Sequence, residues 1–285
     1  MAKLPIIHND RGVSLLVREP DSKRKLYQMT RRINILVALV LLLTGARASV
    51  AKPTIAVLPF AVAKERGSLQ WLSYATASTL TEKMRRIPSI RVIPVEDVVR
   101  ELKSSGVKPE KAAWTPAVAA QPIGRWLGAT VVVVGAVGKS ADRAVARQIL
   151  EVSGPTDKKS KAKLWLAARF MRTDNGETLG RVFLEGNMDE VFQIQHTLIV
   201  RIAESLGISP EEVAREAVHR PPTDQLKAYR MLSEVAVRIQ EIRTMPEGRR
   251  RKRAIKRALK KVGRTLKIDP DYSGAHAAQG VLLTL

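Results

Sequence analysis

Thr130-Val131-Val132-Val133-Val134-Gly135-Ala136-Val137 is the stretch on which the fold turns. Four consecutive valines stiffen the chain in the extended form, and no polar residue follows Thr130. A run without alternation is buried on both faces, as in the centre of a sheet covered by helices. Reading toward the amino terminus, Pro116–Leu127 predicts a helix with Gly128 as its left-handed cap. Val95–Lys103 predicts another, ended at Gly106, and Ile90–Ile93 predicts a strand. From Ser68, Leu69, Leu72, Thr76, Leu80, Met84 and Ile87 recur on one helical face until Pro88 stops them. Thr54–Phe60 is a short apolar run expected to be a buried strand closed by Pro59.

Toward the carboxyl terminus, residues 140–160 are polar and predict a long loop. Lys161–Arg172 and Thr178–Glu185 predict two strands joined through the turn Asp174-Asn175-Gly176. Asn187 with Glu190 is a capped helix start, and Val191, Ile194, Leu198, Ile202 and Leu206 supply the apolar stripe that Gly207 ends. The order β-α-β-α-α-β-β-β-α describes an α/β domain, residues 52–208, with a mixed β-sheet flanked by helices. Beyond it, Ser209-Pro210-Glu211-Glu212 opens a helix, and no strand pattern follows. Leu226, Tyr229, Leu232, Val235 and Ile239 repeat at helical spacing, as do Ile255, Leu259, Val262 and Leu266. Residues 209–285 are thus expected to be all-α.

The chain has 285 residues, 49 of them Lys or Arg and 27 Asp or Glu, for a formal charge of +22. It contains no Cys. That excludes disulfides, thiolate metal sites, Cys nucleophiles and a lipid-anchoring Cys. Near the amino terminus, Ile33–Leu43 is an apolar run of 11 residues, shorter than the roughly 20 needed to span a bilayer. Arg31 and Arg32 precede it, and small residues follow, with cleavage expected after Ala48 or Ala51. Basic, short apolar, then small is the order of a secretory signal peptide, so residues 1–51 read as leader and signal. Met29 is the expected true start, because thirty residues ahead of the basic pair are out of proportion for such a signal. Cleavage after Ala51 leaves 40 basic against 24 acidic residues, a net +16.

The positive charge has a location. Arg249–Lys267 holds eleven basic residues in nineteen and no acidic one. Arg250, Arg253, Arg257, Lys261 and Arg264 form the candidate surface for an anionic partner, either lipid phosphate or an acidic protein; nucleic acid is set aside if the chain is exported. The plainer alternative is a solvated helix face opposite a packed stripe. Gly135-Ala136-Val137-Gly138-Lys139-Ser140 imitates the end of a phosphate-binding loop, but Val133 stands where that loop needs its first Gly. The four histidines show no metal-ligand spacing. The pairs Glu96-Asp97, Asp189-Glu190 and Glu211-Glu212 fall at helix starts, where the helix dipole accounts for them. No catalytic set, cofactor or metal is expected.

Several of these segments resemble a known family. Ile55–Phe60, Met84–Ile93, Ile123–Thr130 running into the valine strand, the turn Arg172–Thr178 and the helix Met188–Leu206 are similar to TolB amino-terminal-like domains. Curli-secretion CsgG and flagellar FlgO proteins look like relatives. The resemblance covers roughly residues 53–208 and implies a non-catalytic, periplasmic or envelope-associated scaffold that binds another protein. Ile268–His276 through Gly280 resembles the junction between two tetratricopeptide repeats, with Ala258 and Gly280 where that repeat places small residues. About one and a half repeats are present, too few for a free-standing array, so these helices are expected to pack on the α/β domain or on another molecule. A helical groove around Tyr229, Leu232 and His276 is the second candidate surface. The competing reading keeps Ile33–Leu43 as an inner-membrane anchor, with the basic helix meeting an acidic partner or nucleic acid in the cytoplasm.

Overall fold

The computed structural model describes residues 52–63, 69–107, 117–139, 163–215 and 221–285. The leader with Met29, Ala48 and Ala51, the 140–160 loop, and the expected element starts at Ser68, Pro116 and Lys161 lie outside these residues. The described residues from Lys52 onward gather in one unit.

Strand β4 (Val131–Gly138) is buried along its whole length. Beside it lie β1 (Thr54–Val57) and the short β2 (Ala61–Val62) on one side and β5 (Leu164–Arg172) on the other. β3 (Arg91–Val92) and β6 (Thr178–Gly186) form the edges, giving the order β3-β1-β4-β5-β6. β1 runs parallel to β3 and β4, whereas β5 and β6 are antiparallel to their neighbours. The sheet is therefore mixed, and the architecture is α/β.

The two-residue period of β4 sorts its valines between layers. Val131, Val133 and Val137 join Ile55, Val57 and Phe60 in one core, under helices α1 (Gln70–Met84) and α4 (Val191–Ser205). Val132, Val134 and Ala136 face the opposite core, with Val98 and Leu102 of α2 (Val95–Ser104) and Ala120 of α3 (Ala117–Trp126). Each buried valine contributes roughly 1.5–3 kcal/mol relative to exposure, so β4 anchors both layers.

The strand was expected to end at Pro59, but pairing with β4 resumes beyond it. Val57 stands opposite Val133 and Ala61 opposite Ala136, so the first chain spends one residue more than its partner there. The extra residue is a bulge, and it falls where proline has no N–H to offer the ladder. Leu58 N–H bonds to the Val133 carbonyl (3.0 Å) and Ala63 N–H to that of Val137 (2.9 Å), so the strand resumes. Phe60 is thereby turned over Gly135, where a Cβ would sit 2.1 Å from the ring. That contact accounts for the glycine in the loop-like motif: Gly135 makes room for an aromatic side chain, and the motif continues as buried strand through Gly138.

The hairpin between β5 and β6 closes as the turn signal predicts. Gly176 takes φ +77° at the tip, and Glu177 N–H bonds to Asn175 Oδ1 (2.9 Å). Asn187 and Glu190 complete the capping box at the short 3-10 turn that leads into α4. Helix α5 (Pro210–Arg215) starts at Ser209, whose hydroxyl accepts from Glu212 N–H (3.2 Å).

Two helices differ from their expected patterns. α1 was expected to bury one stripe; instead, twelve of its fifteen residues are buried, Thr76, Thr79, Thr81 and Lys83 among them. The sheet covers one side of α1, and α4 and α6 (Leu226–Arg243) cover the other. α7 (Arg249–Ile268) buries Ala254, Ala258, Val262 and Thr265, whereas Ile255, Leu259 and Leu266 sit only partly covered beside them. The packed stripe is thus rotated toward the small residues, because alanine lets the α6 and α7 backbones approach more closely than leucine would. α8 (Ser273–Thr284) completes this third core through Ala275 and Leu282. Gly280 does not serve as a close-packing position, since a Cβ there would meet nothing.

Candidate partner-binding surfaces

Helix α6 belongs to two cores. Its Ala228, Leu232, Val235 and Ile239 face α7 and α8, while Tyr229 is buried in the larger core with α1 and α4. The Tyr229 hydroxyl donates to the Ala75 carbonyl (3.0 Å) and meets Thr79 Oγ1 at 2.7 Å. It also accepts from Gln195 Nε2 (3.1 Å), which lies within reach of Thr76 Oγ1 (3.2 Å). Trp71 and Phe192 stand edge-on to the ring at centroid distances of 5.7 and 4.9 Å. Burial pushes the phenol up to about 12, with Thr79 and Gln195 working against the rise. Tyr229 is therefore a bolt between the helical tail and the α/β layers. Tyr229, expected in a helical groove, is almost wholly buried and bonded three ways, so only an edge of it is left to the surface.

Leu232 is buried as well, but it and the edge of Tyr229 line a real cleft. That cleft, about 580 Å³ in volume, lies between α1, α6, the start of α8 and the segment at Pro221-Pro222. His276 is not part of its wall; the ring is exposed, and Nε2 bonds to the Pro270 carbonyl (2.7 Å). Two residues that sequence reasoning passed over matter more. Lys83 and Tyr272, both 5% exposed, line the cleft from opposite elements. Burial, with Arg86 close by, pushes the Lys83 ammonium down to about 8. Lys83 could have been found as the one lysine inside the expected apolar face of α1.

On α7 the arrangement is simpler. Arg250, Arg253, Arg257 and Arg264 are exposed on one face, and among the described residues no carboxylate pairs with them. Lys261 leaves this set, since its ammonium reaches across to Glu234 of α6. Burial alone would raise the Glu234 carboxyl, but Lys261 and Arg230 more than offset it and hold the group below the usual carboxylate range. The physical reason is position, because Lys261 stands next to the packed stripe, where a long side chain can lie across the helix pair.

Among the described residues, no cluster of three or more His, Asp or Glu could hold a metal ion. No helix among them is long and apolar enough to cross a membrane. No family model and no curated protein matches the chain. Solved structures that are similar in part include the following three. The LpoB C-terminal domain from Salmonella enterica is 16% identical, with 53% of this chain and 93% of that one covered at a TM-score of 0.33. The LpoB C-terminal domain from Escherichia coli is 14% identical, covers 49% and 85%, and scores 0.32. Lipoprotein GNA1162 from Neisseria meningitidis is 14% identical, covers 54% and 98%, and scores 0.31.

Proposed function

We propose that this chain is a non-enzymatic, exported binding module of the bacterial envelope, in which an α/β domain (52–208) carries a helical tail (209–285) that docks an anionic partner. The observation that carries the reading is the row of arginines on α7. Four guanidinium groups share one exposed face with no carboxylate paired to them among the described residues, and a basic face so placed attracts lipid phosphate or an acidic protein surface. The tail is fastened to the α/β layers through Tyr229, so α7 is held as a fixed surface. The signal-like order around Ile33–Leu43 and the TolB-like segments support the envelope as compartment.

The test titrates the full chain against phosphatidylglycerol vesicles and against polyglutamate, from about 0.05 M to about 0.5 M salt. Binding to one of them should weaken at least about tenfold over that range, and Arg253→Glu with Arg257→Glu should abolish it. Binding that ignores both salt and charge reversal would leave the basic face as a solvated surface and end this reading.

A further inference from the structure

The cleft between α1 and the tail carries a second assignment, one that does not depend on the basic face. Positions 75, 78, 79, 82 and 83 of α1, with Arg86 in the turn that follows it, recur at helical spacing along one wall. The opposite wall brings Leu232, Ala236 and Ala278 together with Ser233 and Ser273, and Pro222 lines the cleft beside them. Lys83 lies in this wall almost wholly buried, and no described residue forms an ion pair or hydrogen bond with its ammonium. The acidic group that acts on it is Glu82, whose carboxylate is turned to Arg86 (3.4 Å). The stem is packed away and the ammonium opens on the cleft without a bonded counter-ion, so it is free to pair with the charge of a ligand. Across the cleft, the Tyr272 hydroxyl is likewise without a partner among the described residues, and it can donate to the same anion.

We propose that this cleft is a binding site for a small organic anion, with its carboxylate or phosphate against Lys83 and Tyr272 and its apolar body against Leu232, Ala236 and Pro222. The volume lies within the usual range for small-molecule pockets, and Lys83 and Arg86 on one wall facing apolar side chains on the other set a ligand's orientation. Burial also lowers the proton affinity of Lys83, yet the amine stays protonated at neutral pH and able to pair. The nearby titratable groups are Glu82, Arg86, Tyr74, Tyr229 and Tyr272, with Asp269 acting on Tyr272, and the two carboxylates, Glu82 and Asp269, oppose an anion.

The test measures binding of 4-phenylbutyrate, phenyl phosphate and the neutral 4-phenylbutanol to the full chain by calorimetry. At least one anion should bind more tightly than the alcohol. Lys83→Met should lose roughly tenfold or more of that affinity, whereas Lys83→Arg retains most of it. Lys83→Met keeps the apolar stem, so an unchanged far-ultraviolet circular dichroism spectrum separates lost binding from lost folding. Tighter binding of phenyl phosphate assigns the site to phosphates, and tighter binding of phenylbutyrate assigns it to carboxylates. No binding of either anion, or equal binding by the Met variant, overturns the proposal. Neither result bears on the arginines of α7, whose own test uses vesicles and polyglutamate.

Discussion

At the scale of single residues, Tyr229 and Lys83 illustrate opposite uses of burial. Tyr229 is buried with every capacity of its hydroxyl engaged, so deleting the oxygen strands Thr79 and Gln195 without their partner. Tyr229→Phe should cost about 1–3 kcal/mol in a denaturant melt, and an unchanged midpoint would show that the bolt carries no load. Lys83 is buried without such compensation, and the sign of its effect follows from linkage. Its pKa falls from 10.5 to about 8 on folding, so between these values the unfolded chain holds the extra proton and stability rises with pH. Tyr74, Tyr229 and Tyr272 are shifted upward from 10.0, so above about pH 10 the unfolded chain loses protons first and stability falls again. Melts from pH 7 to 12 should therefore peak near pH 10, with a rise on the order of 2 kcal/mol that Lys83→Met removes.

At the scale of elements, β4 was legible because its composition leaves one environment open to it. Four β-branched residues with no polar alternation have to be covered on both faces, and the alternate valines do enter two separate cores. The glycine within it was harder to read. Its partner Phe60 reaches it only because a bulge at Pro59 rotates the first strand, a contact between residues 75 positions apart that local pattern does not encode. Gly135→Ala places a Cβ inside that ring and should cost about 2–3 kcal/mol; a melt within experimental error of the parent would mean that Phe60 moves away without loss. α7 was legible as a basic amphipathic helix, yet its packed stripe was read one step too far round. Leucine and isoleucine draw attention in a sequence, whereas Ala254 and Ala258 set the contact by their small size. The same rotation removes Lys261 from the exposed set and hands it to Glu234.

At the scale of the whole molecule, the mixed sheet and the helical tail follow from period and punctuation, while the surfaces between them do not. The cleft is built by α1, α6 and α8, which are far apart in sequence, and its charged residue looked like an irregularity in a core helix. Tyr229 reads from sequence as one apolar position among five and as part of a groove, and neither reading shows it bonded into the α/β layers. What the sequence carries most directly is the order around Ile33–Leu43, on which the envelope assignment stands. That assignment also decides what the arginines of α7 can meet, since an exported chain faces lipid phosphate and envelope proteins, and a retained one faces nucleic acid. The decisive measurement is the amino terminus of the native protein, read by mass spectrometry on separated cytoplasmic, membrane and periplasmic fractions. An exported binding module should begin near Ser49 or Lys52 in the periplasmic fraction; a chain recovered from membrane or cytoplasm with Ile33–Leu43 intact would contradict it.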